Sequence, residues 1–130
     1  MLNIQFCCWI DQINMKTKKG LDIKEVVQKL IALANKFDVD AVQTLFARNA
    51  VIDDVSVGTK YKNETGVRRY FDTYFVGYKT VTKLDSINIV DPDYAEVKVD
   101  FRGNFGHEKG RLNITINKEG LISKIDADLD

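Results

Sequence analysis

Two aspartates stand side by side at Asp53 and Asp54, within a stretch from Ala50 to Val57 rich in β-branched residues. A carboxylate at a strand end that faces an apolar interior is a usable general acid or base. Strand parity groups Asp54 with Ala50 and Ile52, and Asp53 with Val51, Val55 and Val57, so only one of the pair points inward, and alternation alone slightly favours Asp53. The single histidine, His107, falls in the glycine-rich stretch Gly103-Asn104-Phe105-Gly106-His107-Glu108-Lys109-Gly110, which reads as an exposed hairpin connection. One histidine makes no histidine-cluster metal site, and no metal centre is expected. These glycines precede a strand, not a helix, so they follow no phosphate-binding pattern. No serine or cysteine has a base partner in the sequence, which leaves nucleophilic catalysis unsupported. Tyr61, Tyr70, Tyr74, Phe75 and Tyr78 gather around one helical segment, where tyrosines can bring polar tips to an apolar wall.

The chain that must position these groups has 130 residues, the size of one domain with one core. Nineteen basic residues balance nineteen acidic ones, and a formal net charge of zero gives no sign of a nucleic-acid or membrane partner. The only cysteines, Cys7 and Cys8, are adjacent, too close to bridge easily and too few for a disulfide framework, so the reducing cytoplasm is expected. The apolar stretch from Leu2 to Ile10 is too short to span a bilayer and has no basic residue before it, so it reads as neither signal nor anchor. Met15 opens a second plausible start, and residues 1–20 are set apart as an N-terminal arm outside the domain at 21–130.

Asp22 can cap a helix in which Val26, Val27, Leu30, Ile31, Leu33 and Ala34 recur at helical spacing to about Lys36. Asp38 or Asp40 caps a short second helix carrying Val42, Leu45 and Phe46. A strand over 50–57 follows, then a third helix over 64–76. Beyond it the pattern changes to period two over 86–90, 94–102, 111–117 and 121–129, with turns at Asp91-Pro92-Asp93 and Lys118-Glu119-Gly120. Helices followed by antiparallel strands predict an α+β domain with the helices on one face of a sheet.

The order of these pieces resembles the nuclear transport factor 2-like superfamily, which includes ketosteroid isomerase and the SnoaL-like polyketide cyclases. The likeness is carried by Val26 to Leu30, Asn35 to Val42, Leu45 to Asp54, Gly66 to Phe71, and the closing turn and strand Asn117 to Ile125. The resemblance implies a cystatin-like cone: three N-terminal helices packed on a curved, mixed or antiparallel sheet, with a cavity open at one end. Fold alone does not say whether such a cavity is an active site, a ligand pocket or packed core.

Set against ketosteroid isomerase, the resemblance places the general-base aspartate at Asp54. The two hydrogen-bond donors of that enzyme fall on Leu30 and Leu112. Losing one oxyanion donor typically costs about 10²- to 10³-fold in rate, so steroid isomerisation by the usual residues is not expected. Limonene epoxide hydrolase, a second template, needs two aspartates and an arginine around a water. Asp100-x-Arg102 with Asp126 or Asp128 echoes it, but Val97, Val99 and Phe101 claim the inner face, which sends Glu96, Lys98, Asp100 and Arg102 outward as solvated groups.

The resulting expectation is a SnoaL-like protein that binds a small, mostly apolar molecule among Leu30, Ile52, Tyr70, Tyr74 and Leu112. Asp54 is its candidate catalytic group, acting without metal or cofactor in an isomerase, cyclase or dehydratase. The alternative is a non-catalytic binding or dimerisation module whose cone is filled by its own side chains. A cavity reaching Asp54 favours the first; closure by Leu30, Leu112 and Tyr70 favours the second. A homodimer is expected from the outward sheet face, where Val81, Thr82 and Ile89 mix with polar residues.

Overall fold

A computed structural model describes residues 22–130, so the arm at 1–20 lies outside the described residues. Helix α1 spans Ile23–Asn35, and its Asp22 cap accepts from the Glu25 N–H at 2.9 Å. Ile23, Val26, Val27, Leu30, Ile31 and Ala34 form its buried stripe. The helix closes with Phe37 in the left-handed region at φ 58°, where the Phe37 and Asp38 N–H groups return to the Ala34 and Leu33 carbonyls. That is a Schellman ending on a residue other than glycine.

Helix α2 is a single turn, Val39–Gln43, capped by Asp38. Leu45 and Phe46, expected in this helix, are not part of it: strand β1 starts at Phe46 and runs to Asp54. It also stops short of Val57, because Val55 to Gly58 form a turn that closes on the Asp54 carbonyl. Strand β2, Thr59–Lys62, has no clear alternation and was not legible in the sequence. Helix α3, Asn63–Phe71, continues as a π-helical turn over Asp72–Val76.

Strands β3 (Val81–Asp91), β4 (Tyr94–Gly103), β5 (Gly106–Ile116) and β6 (Ile122–Leu129) complete the fold. β3 starts five residues before the expected strand, and the glycine-rich stretch is mostly strand, turning only at Asn104-Phe105. The sheet order is β2-β1-β6-β5-β4-β3, antiparallel except for the parallel pair β1–β6. Register shifts in β3 and at the β1–β6 and β5–β6 pairings are the irregularities that bend strands and curve a sheet.

The concave face carries Ala95, Val97, Val99, Ile114, Ile125 and Ala127 against α1 and α3, all essentially buried. Asn35 ties the end of α1 to β3 through both amide atoms: Nδ2 donates to the Thr82 carbonyl at 2.9 Å, and Oδ1 accepts from the Thr82 N–H at 2.7 Å. Thr82 is therefore buried, not part of the outward face expected for it, whereas Val81 and Ile89 are half exposed. This is the expected α+β, cystatin-like arrangement of three helices on a curved mixed sheet.

Candidate active site

Of the two adjacent aspartates, Asp54 faces inward. It is 7% exposed and follows the buried Ala50 and Ile52 on the same face of β1, while Asp53 remains partly in solvent. The turn that ends β1 brings Ser56 back onto it: the Ser56 N–H and Oγ–H both reach Asp54 Oδ1, at 3.0 and 2.5 Å. An aspartate bonding the backbone two residues on is an Asx-turn. The other oxygen, Oδ2, accepts from the Tyr70 hydroxyl at 2.6 Å. A carboxylate has about four lone-pair sites. Among the described residues three are taken, so one acceptor position is left over.

Tyr70 comes from α3 through a simple periodicity. Val67, Phe71 and Phe75 recur every four residues toward the core, and Tyr70, Tyr74 and Tyr78 recur every four beside them. The π-helical turn carries this second row past the end of the α-helix, with the Gly77 N–H donating to the Asp72 carbonyl. Such turns widen the helix locally and are frequent at functional sites. Gly66 lets α3 press onto β2, since a Cβ there would lie 2.7 Å from the Tyr61 backbone. The close approach seats Tyr61 against Tyr70 and Tyr74, with ring centroids at 5.2 and 6.2 Å, and joins the Tyr61 and Tyr74 hydroxyls at 3.2 Å.

Burial pushes the Tyr70 phenol well above its usual range, reinforced by the charge of Asp54 and by the hydrogen bond to it. Tyr74 is pushed up to about 12, first by its hydrogen bond to Tyr61 and then by desolvation. Both stay protonated at neutral pH, so Tyr70 remains a donor to Asp54.

These groups form the inner end of a cavity of about 250 Å³. Asp54, Tyr70, Phe75 and Thr80 are its buried lining, and Tyr78, Phe105, Val57, Leu129 and Glu108 its exposed rim. Phe101 supplies a wall by crossing Phe75 edge-to-face at 6.1 Å, and Phe105 crosses Tyr78 in the same way.

Of the expected ligand-binding residues, Tyr70 and Tyr74 line this cavity. Leu30, Ile52 and Leu112 are buried in the core and do not line it. The apolar cage anticipated around Asp54 is thus a polar cradle, built by Ser56 and Tyr70. Ser56, Thr80, Phe101, Phe105, Glu108 and Leu129 were not anticipated at all. Ser56 had a readable signal, because Asp-x-Ser after a strand favours an Asx-turn.

Asp100 does lie on the outer face of β4, as expected, but it is not solvated: it is 6% exposed, covered by its neighbours there. Its carboxylate meets His107 Nε2, and Arg102 stands 4.0 Å away. His107 is accordingly a half-exposed strand residue of β5, not a loop residue. This cluster does not line the cavity. Among the described residues no group of three or more histidine, cysteine, aspartate or glutamate side chains is placed to hold a metal ion, and no helix is long and apolar enough to cross a membrane.

A family model described as the SnoaL-like domain matches residues 27–120, which takes in most of α1, the other helices, the Asp54 strand end and most of the sheet. The chain belongs to the SnoaL-like family. As such it falls within the nuclear transport factor 2-like superfamily, and solved structures of this kind superpose on it closely. The epoxide hydrolase/cyclase-like enzyme SalBIII of pyran ring formation in salinomycin matches with a TM-score of 0.73 at 22% identity, over 82% of this chain and 89% of that one. A Mycobacterium tuberculosis protein in complex with estradiol-17beta-hemisuccinate matches with a TM-score of 0.69 at 18% identity, over 78% and 88%. A computationally designed 17-OHP binder gives a TM-score of 0.69 at 18% identity, over 78% and 86%. No curated protein matches the sequence. At these identities the likeness is one of fold, and the SnoaL-like cleft must be read from its own residues.

Proposed function

We propose that the cleft binds a small, mostly apolar molecule and that Asp54 serves there as the acid-base group of an isomerase, cyclase or dehydratase that uses no metal or cofactor. The observation that carries this reading is the cavity itself, which reaches the one buried carboxylate that the described residues place on the concave side and is otherwise walled mainly by aromatic rings. Concave, largely apolar sites with a few convergent polar groups are the usual form of small-molecule sites. Relatives of the same fold support it, since one acts in pyran ring formation and another holds a steroid hemisuccinate.

The steroid isomerase reaction remains outside the proposal. Leu30 and Leu112 are core residues with no donor to offer. A second reading, binding without catalysis, draws on the three donors that already hold Asp54.

The base-promoted opening of 5-nitrobenzisoxazole separates the two. In it a base takes the ring C–H proton, the C=N bond becomes a nitrile as the N–O bond breaks, and a phenolate leaves. The substrate is flat, apolar and needs only a carboxylate base. The acid-base reading expects saturable turnover above buffer that Asp54→Asn abolishes. Turnover at the buffer rate, or turnover that survives the substitution, leaves binding alone.

A further inference from the structure

The cleft is one-sided in what it offers a ligand. Of the five hydroxyl side chains among its described lining residues, Ser56 and Tyr70 donate to Asp54, and Thr80 donates to the Tyr74 carbonyl at 2.6 Å. Those three protons are spent inside the protein. A ligand that offers only acceptors, such as a ketone, therefore finds few donors, whereas the unused lone pair of Asp54 awaits one. Among the described residues the lining also holds two carboxylates, Asp54 and Glu108, and no lysine, arginine or histidine. Six aromatic rings make up much of the remainder, and ring faces are the electron-rich side of an aromatic group.

Spent donors, unbalanced negative charge and aromatic walls all favour the same partner. The geometry points to an organic ammonium ion as the ligand: a ring-sized apolar body bearing a protonated nitrogen. Its N–H bonds to the free position on Asp54, its body lies among Tyr74, Phe75 and Phe101, and Glu108 at the rim adds attraction on entry. The inference deepens the reading of the cleft as a ligand site and rests on it, independently of any acid-base role for Asp54.

Three probes that share one ring system test it by calorimetry at pH 7: 1-naphthylmethylammonium, 1-naphthylmethanol and 1-naphthoate. Charge-assisted hydrogen bonds are roughly twice as strong as neutral ones, so the ammonium is expected to bind at least about tenfold more tightly than the alcohol, and the carboxylate most weakly. Asp54→Asn should bring ammonium and alcohol within about threefold of each other. Glu108→Gln changes an exposed side chain and keeps the fold even where the first variant does not. It should weaken the ammonium about two- to fivefold more than it weakens the alcohol. Equal or tighter binding of the alcohol or the carboxylate overturns the inference but leaves the cleft as a ligand site. A preference that survives in folded Asp54→Asn, or that Glu108→Gln does not move, overturns it too. Failure of all three to bind overturns both the inference and the reading beneath it.

Discussion

The Tyr70 hydroxyl donates to Asp54 Oδ2 across 2.6 Å between two buried side chains, linking the helix that edges the cleft to the strand end that floors it. Removing one partner of a buried bond leaves the other unsatisfied, and bonds to charged groups are worth about 1.5–3 kcal/mol. Tyr70→Phe keeps the ring and its packing but strips the donor. It should lower unfolding free energy by about 2 kcal/mol in urea titration. A change within about 0.5 kcal/mol, the range of ordinary surface substitutions, would show that the bond contributes little.

The same pair sets an alkaline limit. The Tyr70 pKa is raised in the fold above the roughly 10 of an unfolded tyrosine. The folded state therefore holds this proton more tightly than the unfolded chain. Its contribution is complete below about pH 10 and is lost as pH rises through the folded value. Tyr74, raised to about 12, acts in the same direction. Urea unfolding between pH 8 and 11.5 should show stability falling above pH 10, and the fall should flatten in Tyr70→Phe. An identical pH profile in the variant would contradict the assignment.

Asp54→Asn replaces an all-acceptor group with one that is half donor. Ser56 N–H and Oγ–H can still meet the amide oxygen, but the Tyr70 hydroxyl must then turn to accept. The variant should lose about 1–2 kcal/mol and remain folded. A higher melting temperature than the wild type would mean that the carboxylate is poorly accommodated after all.

These outcomes depend on features that differ in how far the sequence discloses them. The fold was largely legible: α1 and α3 show helical spacing, and the strands from β4 onward alternate, except in the glycine-rich first half of β5. Leu45 and Phe46 were misplaced because a one-turn helix running into a strand leaves too few residues for either period to show. β2 was missed because four residues, three of them exposed, carry no alternation. At the candidate site, Asp54 and Tyr70 had been singled out, but their bond joins residues sixteen apart and has no local signal. Leu30 and Leu112 were placed beside Asp54 by the resemblance to ketosteroid isomerase and Ile52 by strand parity, and only three-dimensional packing assigns them to the filled core. Asp100 was read as solvated because alternation reports the face of a strand, not the cover given by His107 and other side chains beside it.

The oligomeric state tests the outward face. Val81 on β3 is 48% exposed and Val90 51%, beside a sheet face otherwise dense in paired charges. Apolar residues on such a face are commonly covered by a second copy. Light scattering should give twice the 14.8 kDa chain mass, and Val81→Lys should shift the distribution toward single chains. A single chain at all concentrations would contradict the dimer.

The central claim is that the cleft between Asp54 and the tyrosine row is where this protein receives its ligand. The most direct measurement is an amide NMR titration of the full chain with 1-naphthylmethylammonium. Saturable shifts are expected at Asp54, Ser56, Tyr70, Thr80 and Phe101, and should disappear when Phe101→Trp narrows the cavity. Shifts confined to the outer sheet face around Lys98, Asp100 and Arg111, or no saturable shift at all, would contradict it.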